Sequence, residues 1–272
     1  MYEKPTAPRS IREVFNQAIR IYKGTGRSTW MLALALELVA TAPWFFWQRF
    51  TPALSDNLLS DNLLSDSLED TLAALTASLS SPAVWLIVLI AIPIYVIIYN
   101  ALIANINGIA TGRAVAAGEA VGVGVRLLPR TLLLGLLFGF IVAAGLLLLL
   151  VPGIYWAGTL LLAFVALVVD DAGISQSMTR SRNLIKGHWW RAATLVSYVV
   201  VIDLLAYLAV TLITGALALV FGAGATVTFA VSQLLSLATD VAVAPLYVAA
   251  YVAMYYDLAS REAAERNMAK AV

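Results

Sequence analysis

Six long apolar runs alternate with short polar segments along the chain, at residues 28–47, 81–104, 131–151, 154–169, 192–217 and 226–256. A bilayer core needs about 20 apolar residues of helix to cross it, and five of the runs reach that length while 154–169 is shorter. The pattern predicts an all-α, polytopic integral membrane protein with six transmembrane helices. Pro82 suits the first turn of the second run, Pro93 and Pro245 predict kinks, and Pro152-Gly153 predicts a tight external turn between the third and fourth. Gly135 and Gly139 form a GxxxG pair in the third run, a spacing that lets helix backbones approach closely.

The polar segments divide into two kinds. Residues 50–81 are acidic, with Asp56, Asp61, Asp66, Glu69 and Asp70 and no lysine or arginine, and they read as an external loop. Within it the pentads LSDNL, LSDNL and LSDSL repeat, too few to build a solenoid, and leucines from Leu64 to Leu79 share one helical face that could rest on the outer surface. The other segments are basic: an N-terminal region 1–27, loops 108–130 and 170–191, and a tail 258–272. Of the 17 lysines and arginines, all but Arg49 fall in these four segments. Basic residues are retained on the cytoplasmic side, so both termini are expected there, around a transmembrane domain 28–257.

Three of the basic segments share a second feature. IREVFNQAIRIYKG, GEAVGVGVRLLPR and GISQSMTRSRNLIKGHWWR each precede an odd-numbered run, which suggests repeated hairpins fed by amphipathic helices lying in the plane of the inner face. In the first, Ser10 and Glu13 form a capping-box pattern, and Ile11, Val14, Phe15, Ala18, Ile19 and Tyr22 recur at helical spacing. That apolar face suits either a leaflet or a protein surface. In the third, Asp171 is placed to cap a short helix. Arg180, Arg182, Lys186 and Arg191, with Trp189 and Trp190, suit contact with headgroups or a protein partner.

Composition sharpens this picture. The 272 residues are 61% hydrophobic and only 12% charged, half the charge of a soluble domain, and the net charge of +1 gives no reason to expect nucleic acid as a partner. No cysteine is present, which excludes disulfides, thiolate metal sites and thiol nucleophiles. The one histidine, His188, reads as a surface anchor. With no GxSxG, HExxH or Walker lysine loop either, the expectation is a protein that is not an enzyme and holds no cofactor or metal.

Chemistry remains inside the spans. Glu37, Asp203 and Asp240 lie in apolar runs that contain no basic residue. At 1.5 Å per residue, Glu37 and Asp203 fall roughly 14 and 18 Å from the inner ends of their helices, so they share a level. Helical spacing sets Tyr207, Thr211 and Thr214 on the stripe of Asp203, and Gln233, Ser236, Tyr247 and Tyr251 on the stripe of Asp240. Pro245 frees the carbonyl of Val241 beside Asp240. An acid at the bilayer centre costs roughly 2.5–3.5 kcal/mol, so each must be neutral, hydrogen-bonded, hydrated or paired. Two readings stay open: a proton- or cation-responsive polar site of Glu37, Asp203, Tyr207, Gln233, Ser236 and Asp240, or neutral groups that bind helices together.

Val151-Pro152-Gly153-Ile154-Tyr155, Asp170-Asp171 with Gly173, Ser181, Leu184, Lys186-Gly187, Trp189-Trp190, and Tyr255-Tyr256-Asp257-Leu258 with Arg261 resemble the membrane-domain family attached to some bacterial glycerophosphoryl diester phosphodiesterases, which also occurs as free-standing six-helix proteins. Ser177 departs from the small apolar residue that the family pattern leads one to expect. The resemblance implies a bacterial cytoplasmic (inner) membrane protein. It does not extend to the phosphodiesterase barrel, whose histidine and acidic metal ligands this chain lacks. The leading expectation is a membrane module that binds or transports a lipid-like or small amphiphilic solute. The alternatives are a scaffold for envelope assembly or stress that docks partners on the 170–191 surface, and the permease subunit of an ATP-driven exporter.

Overall fold

Residues 9–50, 76, 82–222 and 225–271 are described in the computed structural model of the chain, with backbone alone at 44–50, 83 and 271. Nearly all of the expected outer loop, with its pentads and surface helix, lies outside the described residues, as do the side chains of Trp44, Trp47 and Arg49.

Helix α1 is Ile11–Lys23, opened as expected by Ser10, whose Oγ accepts from the Glu13 N–H at 3.3 Å while its own N–H donates to Glu13 Oε2 at 2.7 Å. Val14, Ala18 and Ile21 on its apolar face are buried. Protein covers them, because α1 lies against the last helix. The Arg9 N–H donates to Asp257 at one end and Tyr22 Oη–H to the Ala242 carbonyl at the other, 15 residues or about 22 Å apart on that helix.

The other helices are α2 (Arg27–Phe50), α3 (Pro82–Thr111), α4 (Ala117–Leu148), α5 (Leu150–Thr159), α6 (Ala163–Val169), α7 (Ile174–Ile185), α8 (Trp189–Phe221) and α9 (Thr226–Ala271). No strand occurs among the described residues. Five helical stretches, Val84–Thr111, Ala117–Leu148, Leu150–Val169, Trp189–Phe221 and Thr226–Lys270, are long and apolar enough to cross a membrane.

Four expectations need correcting. First, most of 108–130 is helix rather than loop, because α3 runs to Thr111 and α4 starts at Ala117. The helix expected over 118–130 is therefore the start of α4, and Gly124 serves packing, since a Cβ there would sit 2.2 Å from the Ile97 carbonyl oxygen of α3. Second, the GxxxG pair is not a close contact within the chain: a Cβ on Gly135 or Gly139 would meet nothing within 4 Å. Third, the turn between α4 and α5 falls at Leu149, kept near the basic start of α8 and not at the far, external end by the Trp189–Tyr155 hydrogen bond at 3.2 Å, and Pro152-Gly153 lie at the start of α5. Gly153 there meets Gly145 of α4, where a Cβ would come within 2.8 Å of the Gly153 Cα. Fourth, Asp171 does not cap α7, whose N-cap is Gly173. Asp171 instead adopts φ 49° and accepts from Arg130 at 3.0 Å and Arg126 at 3.2 Å, both now on α4.

Buried and exposed apolar side chains separate along the molecule. The core gathers α1, the end of α3 from Ala101 to Ala110, α6, and α9 from Val243 to Leu258. Some of its buried polar groups pair over long range: Asn105 accepts from Thr29 at 2.7 Å and donates to the Val115 carbonyl at 2.8 Å, and Asn100 donates to Thr131 at 2.9 Å. Elsewhere large apolar side chains face outward, on α3 from Trp85 to Tyr95, on α4 from Leu133 to Leu148 and on α8 from Tyr198 to Phe221. Outward apolar faces of that extent suit lipid rather than water.

Candidate functional site

Where α2, α3, α8 and α9 meet, a cavity of about 350 Å³ opens. Glu37 enters it from α2, Tyr95 and Tyr99 from α3, Asp203 from α8, and Asp240, Tyr247 and Tyr251 from α9. The α9 contribution follows from its sequence: Asp240, Val243, Ala244, Tyr247, Val248 and Tyr251 sit at i, i+3, i+4, i+7, i+8 and i+11, one stripe of an α-helix. All three acids predicted from the spans thus border one space, and among the described residues no lysine, arginine or histidine lines it.

Tyrosines furnish most of its remaining polarity. Tyr247 Oη–H donates to Asp203 Oδ2 at 3.2 Å. The Tyr95 and Tyr99 rings stack with centroids 6.2 Å apart and planes 6° from parallel, and Tyr99 meets the edge of Phe164 at 6.4 Å. Sequence reasoning missed Tyr95 and Tyr99, although their i, i+4 spacing in an apolar run was a usable signal.

Other predicted members lie elsewhere. Tyr207 is 60% exposed, whereas Val210, on the other side of the Asp203 stripe, is buried, so the inward face of α8 runs to the Val210 side of that stripe. Thr211 and Thr214 donate to carbonyls of their own helix, at Tyr207 and Val210. Gln233 and Ser236 continue the Asp240 stripe but do not line the cavity. Among the described residues no group of three or more acidic or histidine side chains is placed to hold a metal ion. The three acids border one space without converging on a point.

The basic segment 170–191 divides in the same way. Arg191 donates to Asp257 Oδ2 at 2.9 Å and to the Arg9 carbonyl, and Arg261 makes the same two contacts from α9, with 3.1 Å to the carboxylate. Asp257 is wholly buried. Arg180 pairs with Glu262, and Asp170 accepts from Tyr255 Oη–H. These groups tie α7, α8 and the N-terminus to α9. Arg182 and Lys186 make no ion pair among the described residues and border a second cavity with Trp189, while Trp190 is 80% exposed.

No family model matches the chain. An 89-residue stretch is 38% identical to a UPF0259 membrane protein of Sodalis glossinidius, covering 33% of this chain and 36% of that protein. The match therefore spans little more than a third of the relative's length. No solved structure matches. None of these comparisons connects the chain to the phosphodiesterase membrane domains. With its five membrane-length helical stretches and its similarity to a bacterial membrane protein, the chain is a multi-pass membrane protein.

Proposed function

We propose that this is a non-enzymatic protein of the bacterial inner membrane whose polar cavity binds or transports a lipid-like or small amphiphilic solute. In this reading α2 joins the five membrane-length stretches to give six membrane-embedded segments, and both termini are cytoplasmic. The observation that carries it is the lining of the cavity: three carboxyl groups from three helices, with no cation among the described lining residues. Of the three, only Asp203 has a side-chain hydrogen bond among the described residues, from Tyr247. Here the polar groups face a shared volume of a size suited to a small ligand. The acids favour a solute that brings positive charge or hydrogen-bond donors, and tyrosine faces attract an organic cation. Leu36, Val243 and Val248 supply apolar wall for the rest of an amphiphile.

Native mass spectrometry with lipidomics on the purified protein tests this, with wild type compared against an Asp203→Asn, Asp240→Asn double variant of equal helix content. A defined co-purifying molecule, lost from the variant, supports the reading. Bulk phospholipid alone, equal in both, sinks it.

A further inference from the structure

We propose that the cleft between the α4–α5 hairpin and α7 is a binding site for one anionic phospholipid, with its phosphate held by Arg182 and Lys186. The cleft is the largest of the described cavities, at about 800 Å³, and it is separate from the acid-lined one. One wall is apolar, formed by Phe140 and Ile141 of α4 and Trp156 of α5; the other carries Arg182, Lys186 and Trp189.

Charge decides the occupant. Of the four cations in 170–191, Arg180 and Arg191 are spent on Glu262 and Asp257. Arg182 and Lys186, four residues apart and so on one face, remain exposed and make no ion pair among the described residues. Two uncompensated cations above an apolar trough match a phosphate above an acyl chain. A soluble anion would leave the trough unfilled, and a neutral lipid would leave the cations unmatched.

Position supports the same occupant. Trp189 opens α8, whose 33 residues extend about 50 Å, more than the roughly 30 Å bilayer core, so the cleft sits at the basic end of a span, where headgroups lie. The hairpin is fastened there. Trp189 Nε1–H donates to the Tyr155 carbonyl at 3.2 Å, and the two rings stack at 6.1 Å. Tyr155 is six residues past the tip at Leu149, about 9 Å along α5, so the exposed tip Leu147 to Val151 stays near this end of α8. An apolar hairpin held at that level lies beside the acyl chains of the same leaflet whose headgroups reach Arg182 and Lys186.

The test uses the full chain in nanodiscs of phosphatidylcholine containing a tenth phosphatidylglycerol, with retained lipid read by native mass spectrometry. Wild type is expected to retain one phosphatidylglycerol in preference to phosphatidylcholine. Each cation near a membrane surface is worth about 1 kcal/mol, so Arg182→Gln, Lys186→Gln should lower that preference about tenfold or more. Arg126→Gln, whose partner is Asp171, should leave it unchanged. Ala144→Trp, which fills the apolar trough without touching the cations, should remove both lipids from the site. Excess glycerol 3-phosphate should not displace the lipid. Equal retention of the two lipids by wild type, or an undiminished preference in the double variant, overturns the proposal.

Discussion

Asp257 and the three acids of the cavity are the same kind of group in opposite surroundings. Asp257 is wholly buried and meets Arg191, Arg261 and the Arg9 N–H. Its charge is matched from α8, α9 and the chain before α1, so it closes one end of the molecule. Glu37, Asp203 and Asp240 border open volume, and the one side-chain hydrogen bond found for them among the described residues comes from Tyr247. A buried carboxylate that is fully provided for is structural. Carboxyl groups left facing a cavity are available to something that enters it.

The largest expected effect comes from breaking the first site. Asp257→Ala leaves Arg191 and Arg261 facing each other without an anion, which should destabilise the protein by about 3–5 kcal/mol, read as a lowered midpoint of thermal unfolding in detergent. Asp203→Asn and Asp240→Asn should each cost less than about 1 kcal/mol by the same measurement, since neither leaves a buried charge unmatched. Equal losses at the two sites would erase the distinction.

Glycines draw a smaller contrast. Gly124→Ala drives a Cβ against the Ile97 carbonyl and should cost about 1–3 kcal/mol, whereas Gly135→Ala meets open space and should stabilise α4 by up to about 1 kcal/mol. The smallest effect concerns Glu13. The Ser10 N–H and hydroxyl hold its carboxyl below the ordinary value of 4.5. Its contribution to the α1 cap is therefore complete above that value and is lost as pH falls through the lowered one. Wild type should show a slight fall in unfolding midpoint below pH 4.5 that Glu13→Gln lacks.

Much of this was legible in the sequence, for reasons that differ by residue. The Ser10 and Glu13 cap is a local interaction with a fixed spacing, so the chain alone specifies it. Counting helical rise from the basic ends of their spans set Glu37 and Asp203 at one level; Asp240 was singled out only as another acid in an apolar run. What failed was anything set by a neighbour. Gly124 carries no packing signal until Ile97 of α3 is placed against it, and Asp171 reads as a cap until Arg126 and Arg130 arrive on a longer α4. Tyr207 shares a stripe with Asp203 on paper, but which side of that stripe faces inward is set by the helices packed against α8, and Val210 rather than Tyr207 lies on it.

The absence of cysteine allows the central claim to be tested with a single introduced thiol. Ala244→Cys places one in the lining between Asp240 and Tyr247. Its rates of reaction with a cationic and an anionic methanethiosulfonate reagent of similar size are the measurement to make. An accessible cavity lined by unmatched acids predicts faster modification by the cation, with the preference lost in the Asp203→Asn, Asp240→Asn background. No reaction with either reagent, or equal rates in both backgrounds, would contradict it.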